Sequence, residues 1–174
     1  WYQQLTGTPV DYYCETLYQN GLKLGLEAST GLIYDEVVPG QEPLKKTKRL
    51  WPLTELIKAS LAQAKASSEP EYQLKAEQQA AFTIDLLFRF YLPANVTGLY
   101  FDQLDANNQV CVADAPASTL YHLMVAGLEA RAYCQTQQNG KTTTGIKDTT
   151  QIALTVELCI LLCIACKSLT KPTY

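Results

Sequence analysis

The sequence predicts an all-α fold of the α/α-repeat type, in which helix pairs stack side by side and the loops between them emerge on one face. Two observations carry this. First, the chain repeats itself. Thr30-Gly31-Leu32-Ile33-Tyr34-Asp35 returns as Thr97-Gly98-Leu99-Tyr100-Phe101-Asp102. Lys48-Arg49-Leu50-Trp51-Pro52-Leu53-Thr54-Glu55 follows the first copy, and Ala115-Pro116-Ala117-Ser118-Thr119-Leu120-Tyr121-His122 follows the second. Gly31 to Glu55 spans 24 positions and so does Gly98 to His122, which sets a period of 67 residues and makes Glu55 and His122 equivalent. Internal repetition of this kind signals stacked supersecondary units. Second, apolar residues between the loops recur at three- and four-residue spacing, as in helices that bury one face.

Each element follows in order. Trp1 to Leu5 reads as the end of a helix closed by Gly7, so the chain is expected to be entered partway through that helix. Thr8 and Pro9 supply an N-cap and a first-position proline for the next helix. It runs to about Leu26, with Val10, Tyr13, Leu17, Leu22 and Leu24 among its apolar residues. Gly21 and Gly25 weaken it and offer room for a close neighbour. Ser29-Thr30-Gly31 ends it. Leu32 to Val37 alternates as a short strand, and Pro39 to Lys48 forms a loop or hairpin turn. Thr54 and Glu55 open a helix to about Ser67, with Leu56, Ile57, Ser60, Leu61 and Ala64 at helical spacing. A long helix runs from Glu71 to about Tyr91, burying Ala80, Ile84, Leu87, Phe88 and Tyr91, and Pro93 stops it. Gly98 to Leu104 is the second strand, Asp105 to Asn108 a turn, and Thr119 to about Gln135 the next helix. Residues 1–135 therefore form the helical repeat, 136–148 a polar linker and 149–174 an apolar C-terminal helix. Ile152 to Cys166 falls short of the roughly 20 apolar residues a membrane span needs and contains Glu157, so it is expected to pack rather than span.

Composition sets limits. Apolar residues make up 47% and charged residues 18%, the mix of a globular protein. A net charge of −3 argues against a nucleic-acid partner, since phosphate-binding surfaces carry basic excess. Cys14, Cys111, Cys134, Cys159, Cys163 and Cys166 are irregularly spaced and no secretory signal opens the sequence, which points to reduced thiols in a cytoplasmic protein. The last three have the spacing of a radical iron–sulfur motif, but apolar residues separate them and a buried helix explains them better. The sequon at Asn95 carries no weight without a secretory signal. No zinc motif, glycine-rich phosphate loop or Ser/His/Asp pattern is present, and neither metal nor cofactor is expected.

Few residues could carry chemistry. His122 is the only histidine. A lone histidine is more often structural, but this one sits near a helix start, after a long loop, at the position matched by Glu55. Such a titratable pair suits acid/base work near neutrality. Trp51 reads either as a rim or core aromatic or as a platform for a sugar ring. Arg49 could hold a hydroxyl or phosphate oxygen, or pair with Asp35 or Glu36. Lys45, Lys46, Lys48 and Arg49 form either a solvated loop or the flank of a pocket. Tyr121 is expected in the core, and Asp35 and Asp102 as turn stabilisers.

The two repeated stretches, from Thr30 to Val37 and Thr47 to Ala59 with Pro116 to Leu123, resemble the N-acylglucosamine 2-epimerase superfamily, in its mannose or mannose-6-phosphate isomerase-like branch. The resemblance covers about Trp1 to Ala132. It implies an (α/α)6 barrel with the site in its central cavity, of which residues 1–135 are about the C-terminal half. It also implies proton transfer at the sugar carbon next to the carbonyl, through an enediol(ate), giving the ketose or the C2 epimer. His122 matches the family's Tyr-His acid/base, Glu55 a carboxylate that binds sugar hydroxyls, and Trp51 the aromatic beside it. The family carries Gln or His where this chain has Leu53, so one polar sugar contact is expected to be missing. The family's second histidine lies in a Gly-His-x-x-Glu-Trp-like helix that this sequence lacks, so the chain alone is expected to be inactive.

The expected partner is a small-molecule sugar or sugar phosphate, with no nucleic acid and no membrane; assembly into a homo-oligomer is left open. Two competing readings are a noncatalytic α/α-repeat module that binds carbohydrate or protein through the same loops, and a membrane-associated helical protein anchored by Ile152 to Cys166.

Overall fold

The computed structural model describes residues 2–92, 99–112, 114 and 116–140. Pro93, the Asn95 sequon, the polar stretch after Gly140 and the apolar run with Cys159, Cys163 and Cys166 lie outside the described residues. The elements are α1 (Tyr2–Thr6), α2 (Asp11–Gly25), β1 (Lys48–Arg49), α3 (Leu50–Ala66), α4 (Pro70–Phe90), β2 (Gln103–Leu104), β3 (Val110–Val112) and α5 (Ala117–Gly140). The class is all-α with short β-hairpins in the loops, the helix pairing of part of an α/α barrel.

The period of the sequence is visible in the backbone. Helices α3 and α5 begin at Leu50 and Ala117, one repeat apart. Glu36 bridges Lys45, and the equivalent Gln103 pairs with the equivalent Val112. Strand β1 then pairs antiparallel with β2, Lys48 opposite Leu104 and Arg49 opposite Gln103, so the two units are stitched to each other by backbone as well as side chains.

Several boundaries differ from expectation, each for a local reason. Helix α3 starts ahead of Thr54, because the Thr54 hydroxyl donates to the Trp51 carbonyl at 2.6 Å inside the first turn instead of capping it. Pro52 is tolerated there, since the first N–H groups of a helix have no intrahelical partner. Helix α5 starts ahead of Thr119, whose hydroxyl is engaged by Asp102 at 2.7 Å, and it continues past Gln135 to Gly140. Thr8 does not cap α2. The Gln3 side chain accepts from the Val10 N–H at 3.2 Å and donates to Asp11 at 3.4 Å, so α1 performs that task. Leu32 to Val37 is not a continuous strand: Ile33 bridges Leu26 while Glu36 bridges Lys45, and a segment that changes partner midway cannot build a ladder. The second strand shortens to Gln103–Leu104. The turn after it forms as expected, with Asp105 Oδ1 accepting from Asn107 N and Gln109 N at 2.8 and 2.9 Å.

Helix α3 is the centre of the core, packed on α4 and α5 with a lighter contact to α2. Leu50, Leu53, Ile57 and Leu61 of α3 meet Ile84 and Leu87 of α4 and Leu123 and Ala130 of α5. Each fully buried leucine of this set contributes about 1.5–3 kcal/mol. Tyr91 is buried completely and donates its hydroxyl to the Lys48 carbonyl at 3.0 Å. Helix α2 behaves otherwise. Its Tyr18 is buried and shares a 3.0 Å hydrogen bond with Ser60, whereas Tyr13 and Leu17 are exposed. Gly21 has open space around it; the close approach falls instead at Gly31, at φ +81°, where an added Cβ would stand 2.5 Å from the Phe82 ring.

A buried ion pair of the first unit sits at the junction with the second. Lys48 Nζ lies 3.1 Å from Glu27 Oε1 and 5.1 Å from the Tyr34 ring centre. Asn108, at φ +63°, donates to Glu27 Oε2 at 3.0 Å from the second unit. Burial pulls the Glu27 carboxyl upward, but hydrogen bonds from Thr30, Asn108 and Lys48 outweigh it and leave the group below its ordinary value. No helix of the described residues is long and apolar enough to cross a membrane. Among the described residues, Cys14 and Cys111 are exposed thiols and Cys134 a buried one.

Candidate functional site

Adjacent units of a repeat present the same position at the same height. Glu55 on α3 and His122 on α5 are such positions, and they touch: Glu55 Oε1 and His122 Nδ1 are 2.8 Å apart. Lys58, one turn along α3, brings its Nζ to 2.7 Å from the same oxygen. The Trp51 ring lies tilted over His122 with centroids 5.9 Å apart, and the Tyr121 ring meets His122 edge-on at 5.7 Å.

The charge state of Glu55 fixes the imidazole. Burial pushes its carboxyl up, but the hydrogen bonds and charges of Lys58 and His122 prevail and hold it below its ordinary 4.5. Near neutrality the carboxylate can only accept, so the proton in the contact belongs to His122 Nδ1. In the neutral ring Nε2 then carries the free lone pair and can take a proton from a bound molecule.

A cleft of about 470 Å³ opens beside this pair, a size suited to a small polar molecule. Arg49, Trp51 and His122 line it together with Asp102, Ser118 and Thr119. Arg49 is held at its backbone, where its N–H donates to Asp35 Oδ1 at 2.8 Å. Its guanidinium is half exposed, with Nε 3.9 Å from Asp35 Oδ2. Asp35 also accepts from Thr47 at 2.6 Å and from Gln103 at 2.7 Å, so it anchors the loop as expected. Its repeat equivalent, Asp102, differs: it holds Thr119 and borders the cleft.

The four candidate residues thus come together in two arrangements. Arg49, Trp51 and His122 share the cleft, and Glu55 joins them through His122. Tyr121 is not a core residue. It is 65% exposed, because Thr119, Leu123, Ala126 and Ala130 define the buried stripe of α5 and Tyr121 falls opposite. Leu53 is fully buried in the core, so it is no part of the cleft wall. The basic cluster separates as well. Lys45 pairs with Glu36 at 2.7 Å, Lys46 with Glu42 at 3.2 Å, and Lys48 is sealed against Glu27, which leaves Arg49 alone of the four in the cleft. In the sequence Asp102 reads as a turn stabiliser, and no site role falls to Lys58, Ser118 or Thr119. Only Lys58 had a usable signal there, its position one helical turn after Glu55. Among the described residues no group of His, Cys, Asp and Glu could hold a metal ion.

The family model of N-acylglucosamine 2-epimerase (GlcNAc 2-epimerase) matches residues 12–126, more than half of the chain, and the match takes in Arg49, Trp51, Glu55 and His122. No curated protein and no solved structure matches the chain. Helix pairs with hairpin loops, a glutamate–histidine contact beside a polar cleft and this match agree: the chain belongs to the N-acylglucosamine 2-epimerase family, a family of sugar epimerase or isomerase chemistry.

Proposed function

We propose that His122 is the acid/base of an aldose–ketose isomerase of the mannose/fructose type, with Trp51, Arg49 and Glu55 serving the sugar. The observation that supports this most is the 2.8 Å contact between Glu55 and His122 beside the cleft. Nε2 removes the C2 proton of the open-chain aldose, and the electron pair moves toward C1, giving an enediol(ate). Return of the proton to C1, with the O2 hydroxyl proton passing to O1, yields the ketose. Delivery to the opposite face of C2 would yield the epimer and needs an acid on that side. Trp51 offers its face to the C–H side of the ring. Arg49 stabilises negative charge building on a sugar oxygen. Glu55 orients the imidazole by accepting from its Nδ1.

An unphosphorylated sugar fits better than a sugar phosphate, because Arg49 alone of the basic cluster lines the cleft. The reading goes with a cytoplasmic location and no cofactor.

The test is exchange of the C2 hydrogen of mannose in D2O, followed by NMR. One base suffices for exchange, whereas net turnover is expected to stay low. His122→Ala should lower the exchange rate by about 10²- to 10⁴-fold. Exchange that persists in His122→Ala overturns the proposal. Sugar binding without any exchange would favour the noncatalytic module instead.

A further inference from the structure

We infer that Lys58 is a positioning residue for the Glu55–His122 pair: it pins the carboxylate toward α5 and limits how strongly that carboxylate draws a proton onto the imidazole. For its catalytic meaning, this rests on the proton-transfer reading above.

The geometry is a three-body contact on one atom. Lys58 Nζ at 2.7 Å and His122 Nδ1 at 2.8 Å converge on Glu55 Oε1. An oxygen that accepts from an ammonium and an imidazole N–H at once has its charge divided between them. The Lys58 side chain is 19% exposed, more shielded from water than the 41% exposed Glu55 it touches. Its three-residue spacing from Glu55 is that of neighbours on one helix face. The two nitrogens can be no farther apart than these two contacts laid end to end. At that range a fixed cation opposes a second positive charge on the ring. Lys58 therefore does two things at once: it keeps Glu55 ionised and in place, and it keeps the imidazolium from becoming too stable to give its proton back. A base that must both take and return a proton within one turnover needs that balance.

Other groups face His122. Glu55 and Trp51 come from α3, Tyr121 from its own helix, and Arg49 and Asp102 from the cleft wall. Of these, Glu55 is the group that Lys58 touches, so a change at Lys58 reaches His122 through that carboxylate and through the lost cation.

His122 being the only histidine, its ring Cε1–H gives a single resonance whose titration is read by proton NMR without sugar. In Lys58→Met and Lys58→Gln the midpoint should rise by about half to one pH unit relative to the unmodified chain. Lys58→Arg, which keeps the charge, should restore the original midpoint. A midpoint unchanged in both neutral variants overturns the inference, as does an equal rise in Lys58→Arg. Loss of the helical circular dichroism in both neutral variants overturns it too, since a positioning residue on an open pair is dispensable to the fold. The titration stands apart from the proton-transfer reading. If the midpoint moves but C2 exchange is absent, Lys58 tunes the pair and the proposed function fails. If the proposed function holds, the pH at half-maximal exchange should move with the midpoint.

Discussion

Lys48–Glu27 and Lys58–Glu55 are ion pairs of the same chemistry, at 3.1 and 2.7 Å, in opposite surroundings. The first is sealed, with side-chain exposures of 0% and 13%. Glu27 there collects Lys48, Thr30 and Asn108, and nothing remains for a ligand. The second pair is open, at 19% and 41%, and its carboxylate is shared with an imidazole beside a cleft. What differs is the kind of partner that the neighbouring unit supplies. For Glu27 it is Asn108 of the neighbouring unit, which closes the junction. For Glu55 it is His122 of the neighbouring unit, whose other nitrogen is left for chemistry. The same kind of pair serves as fastener in one place and as part of a tool in the other.

The contrast can be broken most easily at Lys48. Lys48→Met leaves Glu27 buried without its cation and should cost about 3–5 kcal/mol, read from the urea denaturation midpoint. A cost comparable to that of an exposed pair would erase the distinction. Acid should act through the same junction. The folded Glu27 carboxyl lies below its ordinary 4.5, so the unfolded chain binds its proton first as pH drops. Its contribution is therefore complete above that value and lost as pH falls through the folded one. Thermal midpoints should drop below about pH 4.5, and Glu27→Gln should flatten that drop. A profile equally steep in the variant would assign the acid sensitivity elsewhere. The smallest effect belongs to the open pair: Lys58→Met should change folding stability by no more than about 1 kcal/mol. A loss as large as that of Lys48→Met would make both pairs structural.

Much of the site was legible because the repeat is arithmetic. Counting 67 positions pairs Glu55 with His122, and stacked units turn equal positions into neighbours. The loops were legible through the same count, since Glu36–Lys45 and Gln103–Val112 are one bridge seen twice. What stayed hidden depended on direction rather than identity. Tyr121 looks like a core residue by composition, and only the phase of α5 turns it outward. Lys48 and Lys58 are alike in the sequence, yet one is sealed under Tyr34 and the other meets the carboxylate that holds His122. Thr54 and Thr119 look like caps, but their hydroxyls are used by Trp51 and Asp102. The apolar spacing of α2 was readable, though not that Tyr13 and Leu17 would face outward.

The coincidence of Glu55 and His122 in the repeat has a consequence for symmetry. Had both units kept glutamate at this position, two carboxylates would stand within hydrogen-bond distance and repel, and one would have to hold a proton. Two histidines would compete for the same proton with no anion to orient either. Changing one copy alone converts a clash between twins into a donor facing an acceptor. The repeat supplies the distance, and the difference at this position supplies the polarity.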